Sequence, residues 1–274
     1  MFTLSGFADE IAPELEVQLD TLDQLKIRYL ELRGVWNKSV MALDADELLR
    51  VRDALAERHI AVSAIGSPIG KIKISDPFEP HLDAFRHALD LAEFFGTRYV
   101  RMFSFFVPEG EAERHRAEVM CRLRVLLELA AGRDVLLLHE NERHIYGDVP
   151  ERCLDILETL ATPQMRMTFD PANFVMCGVR PYDQAYTLLA EYIEYMHIKD
   201  GLMAEQRVVP AGKGDGQIPR ILAALVERGY DGFLSLEPHL AVAGEFSGFS
   251  GPDRFATAAT ALREVIRTVG GQER

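Results

Sequence analysis

Eight times along the chain, a short run rich in β-branched and aromatic residues gives way to a longer amphipathic stretch. The runs are FTLSGF (2–7), YLELRG (29–34), IAVSAIGS (60–67), RYVRMFSFF (98–106), DVLLLHE (134–140), MRMTFD (165–170), EYMHIKD (194–200) and GFLSLE (232–237). Between and after them lie stretches such as DADELLRVRDALAERH and PHLDAFRHALDLAEFFG, with apolar residues at i, i+3 and i+4 spacing and Gly96 as a helix stop. Strands that alternate with helices of this length pair in parallel through right-handed crossovers. Eight such units in 274 residues predict an α/β fold, a (β/α)₈ TIM barrel filling residues 1–274 as one domain. An open doubly wound sheet would carry a glycine-rich turn after its first strand, and GFADEIAP has none.

Composition narrows the partners. The formal net charge of −13 opposes nucleic acid as a main partner, because phosphates demand a basic face. Cys121, Cys153 and Cys177 are odd in number and lack CxxC spacing, which suits free thiols in a reducing compartment. The start, MFTLSGFADEIAPEL, has neither a basic opening nor a long apolar run. The expectation is a cytoplasmic protein acting on a small molecule, with no membrane association; a homo-oligomer is compatible with it.

Four consecutive runs end in groups able to ligate a metal: Glu140, Asp170, His197 and Glu237. Taken singly, each has a plainer reading. An acid after an apolar run is a strand end or, as with Asp170 before Pro171, a helix cap, and a lone histidine is a hydrogen-bonded core residue. In a barrel, however, neighbouring strand ends converge at the carboxyl-terminal mouth. Three carboxylates and one imidazole form a mostly hard set suited to one divalent metal ion, Mn²⁺ foremost, with Mg²⁺, Co²⁺ or Zn²⁺ also accommodated.

The segments LLHENERHIYGD, TFDPANF, HIKDG with VVPAGKGDG, and GFLSLEPHL resemble the sugar phosphate isomerase/epimerase family, whose xylose isomerase-like barrel is related to endonuclease IV. The resemblance implies that Glu140, Asp170, His197 and Glu237 hold one metal and that Glu140 and Glu237 are the catalytic carboxylates. Glu142 is a rival to Glu140. Asn173 stands where the family's ketose 3-epimerases carry a histidine. The multi-zinc cluster of the endonuclease branch needs further histidines, whereas His59, His81, His87 and His115 fall in or beside helical stretches.

Such a site acidifies the C–H beside a carbonyl, leading to epimerisation, aldose–ketose isomerisation or β-elimination. The leading expectation is a metal-dependent isomerase or epimerase of a small keto-sugar; a lyase or dehydratase of a 3-keto-sugar is the alternative. Substrate contacts are expected from Arg33, Arg101, Asn173, Lys199 and Arg207. Trp36 either stacks on a sugar or packs, and Lys71 reads as a surface lysine. The glycine-rich loop 204–216 could offer backbone amides to an anion.

Overall fold

All eight runs form parallel strands, each shorter than its sequence run: β1 (Thr3–Gly6), β2 (Tyr29–Leu32), β3 (Ala61–Ile65), β4 (Tyr99–Met102), β5 (Leu136–Glu140), β6 (Met165–Phe169), β7 (Ile193–Ile198) and β8 (Phe233–Leu236). The computed structural model describes residues 1–240, 242–243 and 248–274. Hydrogen-bonded neighbours run in the order β1–β8–β7–β6–β5–β4–β3–β2, and β1 and β2 touch, so the sheet is a nearly closed barrel. The (β/α)₈ expectation holds.

Period-two alternation sorts each strand into two faces. Leu4, Leu30, Val62, Val100, Leu137, Met167, Met196 and Leu234 belong to the main apolar core under the helices. Leu138 and Tyr195 form a separate cluster with Tyr99 and Phe233. Along the same face the residues turn polar. Ser5 Oγ lies 2.6 Å from Ser63 Oγ, which lies 2.8 Å from the Tyr195 hydroxyl, all buried. The barrel interior therefore changes from aromatic to hydroxylic to ionic towards its mouth.

The helices have clear local causes. In the helix Ala45–Glu57, Asp44 and Glu47 form a reciprocal capping box, and the helix Glu79–Phe95 ends at Gly96, φ +68°. One stretch departs from expectation. Residues 181–193 do not make one helix but a π-turn (Pro181–Tyr186), an α-turn (Thr187–Leu189) and a 3₁₀-turn (Ala190–Tyr192). The Gln217 side chain accepts the Tyr182 and Asp183 amides, and Tyr182 stacks on Tyr186 with centroids 5.5 Å apart. No helix among the described residues is long and apolar enough to cross a membrane.

Candidate active site

Alternation carries the polar face to the carboxyl ends of the last four strands, so Leu138 is followed by Glu140, Thr168 by Asp170, Tyr195 by His197 and Ser235 by Glu237. One ligand atom from each of Glu140, Asp170, His197 and Glu237 lies within 4.8 Å of the others, and all four residues are buried. His197 Nδ1 is 3.2 Å from Glu140 Oε1, 3.7 Å from Glu237 Oε2 and 3.9 Å from Asp170 Oδ2. Asp170 serves two neighbours: its Oδ1 accepts the Asn173 amide at 2.9 Å, capping the short helix Pro171–Met176, while Oδ2 faces the cluster.

Beneath the histidine lies a residue that the sequence reading did not single out. Glu31 Oε2 sits 3.0 Å from His197 Nε2 and accepts the Ser235 hydroxyl at 2.8 Å. A carboxylate here only accepts, so Nε2 carries the proton and Nδ1 turns its lone pair toward three carboxylates. Nδ1 has no hydrogen-bond partner among the described residues. Such a contact is repulsive unless positive charge lies between.

In the protein alone a proton fills that need: burial opposes the charge on His197, but Glu31 and Glu140 outweigh it and raise its pKa to about 10. Burial, partly offset by Lys199 and reinforced by Glu237 and Glu140, pushes Asp170 up to about 6. Burial also works against Glu140, yet His197 and Arg101 hold it at about 2. The cluster gathers three carboxylates around an imidazole nitrogen that has no hydrogen-bond partner among the described residues. Its donors fit a divalent cation, which would replace the proton and relieve the carboxylates. Glu31 is then the outer carboxylate that fixes the ring, as in many histidine–metal sites.

Cations surround the acids. Lys199 Nζ is 2.8 Å from Glu237 Oε2 and 2.9 Å from Asp170 Oδ2. Arg33 Nη1 is 3.0 Å from Glu237 Oε1, and its Nε donates to Asp9 at 2.7 Å. Arg101 Nη1 lies 3.3 Å from Glu140 Oε2. Asn173 Nδ2 donates to Glu140 Oε1 at 3.1 Å and to the Asn141 carbonyl at 2.9 Å. Asn141 and the Asp170 backbone exchange two hydrogen bonds of 2.9 Å, tying the ends of β5 and β6 together. A cavity of ≈ 360 Å³, lined among others by Asp9, Arg33, Lys38, Lys71 and Arg101, adjoins this cluster through the two arginines.

Four expectations need correction or resolution. Arg207 is not brought to the cluster; it lies exposed on the Asp200–Leu202/Arg207–Val209 hairpin, paired with Glu205 at 2.8 Å. Lys71 is not a free surface lysine, since it lines the cavity and pairs with Glu142 at 3.2 Å. That pairing also leaves Glu142 outside the four-residue cluster. Trp36 packs against the core, with the Arg50 guanidinium 4.6 Å from its ring.

The glycine-rich loop amides serve the chain itself. Asp200 accepts from the backbone N–H groups of Gly201, Gly212, Gly214 and Gly216 at 2.8–3.0 Å. A Cβ at Gly214 or Gly216 would stand 2.4 or 2.5 Å from the Asp200 carboxylate, so close approach requires glycine there. Glu10 is a further residue without an obvious sequence signal: it is buried and receives the His239 amide at 2.8 Å, while the His239 ring nitrogen Nε2 lies 3.0 Å from its Oε1.

Comparison with known proteins agrees with this architecture. Residues 19–265 match the profile of a family described as xylose isomerase-like TIM barrel. A curated relative, 3-dehydroshikimate dehydratase of Bacillus anthracis, is 22% identical over 172 residues, 62% of this chain; the match spans 61% of that relative's length. Among solved structures, a D-tagatose 3-epimerase-like protein superposes with a TM-score of 0.77 at 16% identity, covering 98% of each chain. The IOLI protein with a bound zinc atom gives a TM-score of 0.77 at 18% identity over 98% of this chain and 99% of its own.

Proposed function

The chain belongs to the xylose isomerase-like TIM barrel family, and from that premise we propose that it is a divalent-metal-dependent isomerase or epimerase of a small keto-sugar or sugar derivative. The reading extends to a cytoplasmic enzyme acting as one barrel domain over residues 1–274, with Mn²⁺ as its metal. The observation that carries it is the convergence of Glu140, Asp170, His197 Nδ1 and Glu237 within 4.8 Å at the barrel mouth.

Those four residues would hold the metal, which when bound polarises a substrate carbonyl and so acidifies the adjacent C–H. The chain's own groups perform the proton transfers. Glu140 and Glu237 end strands separated by two others and so approach a bound molecule from different sides. Burial works against the charge on Glu237, but Lys199 and His239 hold it well below the usual carboxylate range, so it is ionised. Asn173 and Arg101 fix the two oxygens of Glu140. Return of the proton to the opposite face of the same carbon gives an epimer; return to the next carbon gives an isomer.

A dehydratase is the second reading, favoured by the relative that carries that name. It uses the same abstraction, followed by loss of a β-hydroxyl. Solvent-deuterium exchange with Mn²⁺ against a panel of ketoses and 3-keto-glycosides tests both at once, and product analysis then separates them. Absence of exchange in every member, with the metal bound, would remove the enolising reading.

A further inference from the structure

Three cations and two rings alternate across the mouth. The Arg33 guanidinium lies 4.2 Å from the Phe7 centroid, Arg101 lies 5.0 Å from Phe7 and 5.0 Å from Phe103, and Lys71 Nζ lies 4.3 Å from Phe103. All three cations, with Lys38, line the ≈ 360 Å³ cavity, where Asp9 is the one acid among the described lining residues. Each cation is also ion-paired: Lys38 with Glu47, Lys71 with Glu142, Arg101 with Glu140, and Arg33 with Asp9, Glu10 and Glu237.

Arg101 also has a donor to spare. It is 5% exposed, and its Nε is buried without an acceptor among the described residues, whereas Arg33 Nη2 faces Glu10 Oε1 at 3.5 Å. Arg101 Nη2 is turned to the Gly66 and Ser67 carbonyls, which hold the guanidinium in place. The carboxylates that neutralise the two guanidiniums on the cluster side are Glu140 and Glu237. These are the residues that fit a divalent cation. Charge taken up there would release Arg101 toward a ligand, while Arg33 keeps Asp9 and Glu10 as partners.

We propose that the substrate carries a carboxylate, received by Arg33, Arg101 and Lys71, with its enolisable carbonyl directed to the cluster; this rests on the enolising reading above. Planar guanidinium forks match a carboxylate two bonds at a time. A phosphate commonly uses a cradle of backbone amides, and here the amides of Gly212, Gly214 and Gly216 are already held by Asp200.

Calorimetric titration with D-gluconate, D-glucitol and D-glucitol 6-phosphate, with Mn²⁺ present, tests the proposal on six-carbon polyols that differ in a terminal group. None contains a carbonyl, so the result is independent of proton exchange: a failed enolising reading appears only in the deuterium experiment, and a failed carboxylate site only here. The expected result is gluconate binding about tenfold or more tighter than both others. In Lys71→Gln that advantage falls severalfold, while glucitol affinity is unchanged. Equal affinities, tighter binding of the phosphate, no measurable gluconate binding, or a Lys71→Gln protein with the full preference would each overturn it.

Discussion

Glu31 Oε2 lies 3.0 Å from His197 Nε2, and through that contact a buried acid in the second strand decides which way an imidazole in the seventh strand points its lone pair. The same oxygen receives the Ser235 hydroxyl, so Glu31 is itself held from a third strand.

Glu31→Ala is expected to lower divalent-metal affinity by about 10–100-fold, the usual effect of losing an outer carboxylate behind a ligating histidine. Glu31→Gln should do less harm, because its amide oxygen still accepts the Nε2 proton. Mn²⁺ titration followed by calorimetry gives both values, with circular dichroism as the control for folding. Equal affinity in wild type and Glu31→Ala would show that the acid does not orient the ring.

Glu237→Gln keeps the shape of the side chain and removes its basicity. Substrate proton exchange should fall by about 10²–10⁴-fold, while the far-ultraviolet dichroism stays that of the wild type. A fully active variant would contradict the assigned proton transfer.

Metal binding should release protons. Without a cation, His197 keeps its Nδ1 proton up to a pKa of about 10, and Asp170 begins to protonate near 6. Both shifts are upward, so the protonated forms prevail below those values and metal must displace them. Affinity should climb about tenfold per pH unit between pH 7 and 9, and more steeply below pH 6. Calorimetry in buffers of different ionisation enthalpy should count about one proton released at pH 8. A pH-independent affinity would refute the exchange of proton for metal.

Asp200→Ala strips one acceptor from four backbone donors. Because each buried donor left unpaired costs about 1–3 kcal/mol unless water reaches it, unfolding free energy should drop by about 3 kcal/mol or more. Protease should then cut within residues 203–217 before elsewhere. Urea denaturation and mapping of the first cleavage site provide the check.

The strands were readable because both of their faces are buried, which turns each into a compact apolar run, and because turn residues separate them. Glu140, Asp170, His197 and Glu237 were readable for the opposite reason: each interrupts the apolar pattern where a strand stops. Glu31 offered no such break. In YLELRG it alternates with leucines as an acid does on a half-exposed strand, and only closure of the barrel turns that face inward. Lys71 escaped because its position depends on a loop. Gly70, at φ +89°, lies so close to the Phe103 backbone that a Cβ would stand 2.0 Å from its carbonyl oxygen, and this brings the lysine over the Phe103 ring. The amphipathic pattern of residues 181–193 predicts a helix without showing how its turns are wound, because their contacts come from Gln217, far along the chain.

The four metal-competent donors follow or end β5 to β8, whereas the cavity's cations follow or occupy β2 to β4. On the reading proposed above, reaction and recognition are thus written in different halves of the polypeptide. Loops grafted after the early strands could retarget such an enzyme to a new molecule while its proton-moving apparatus stays untouched.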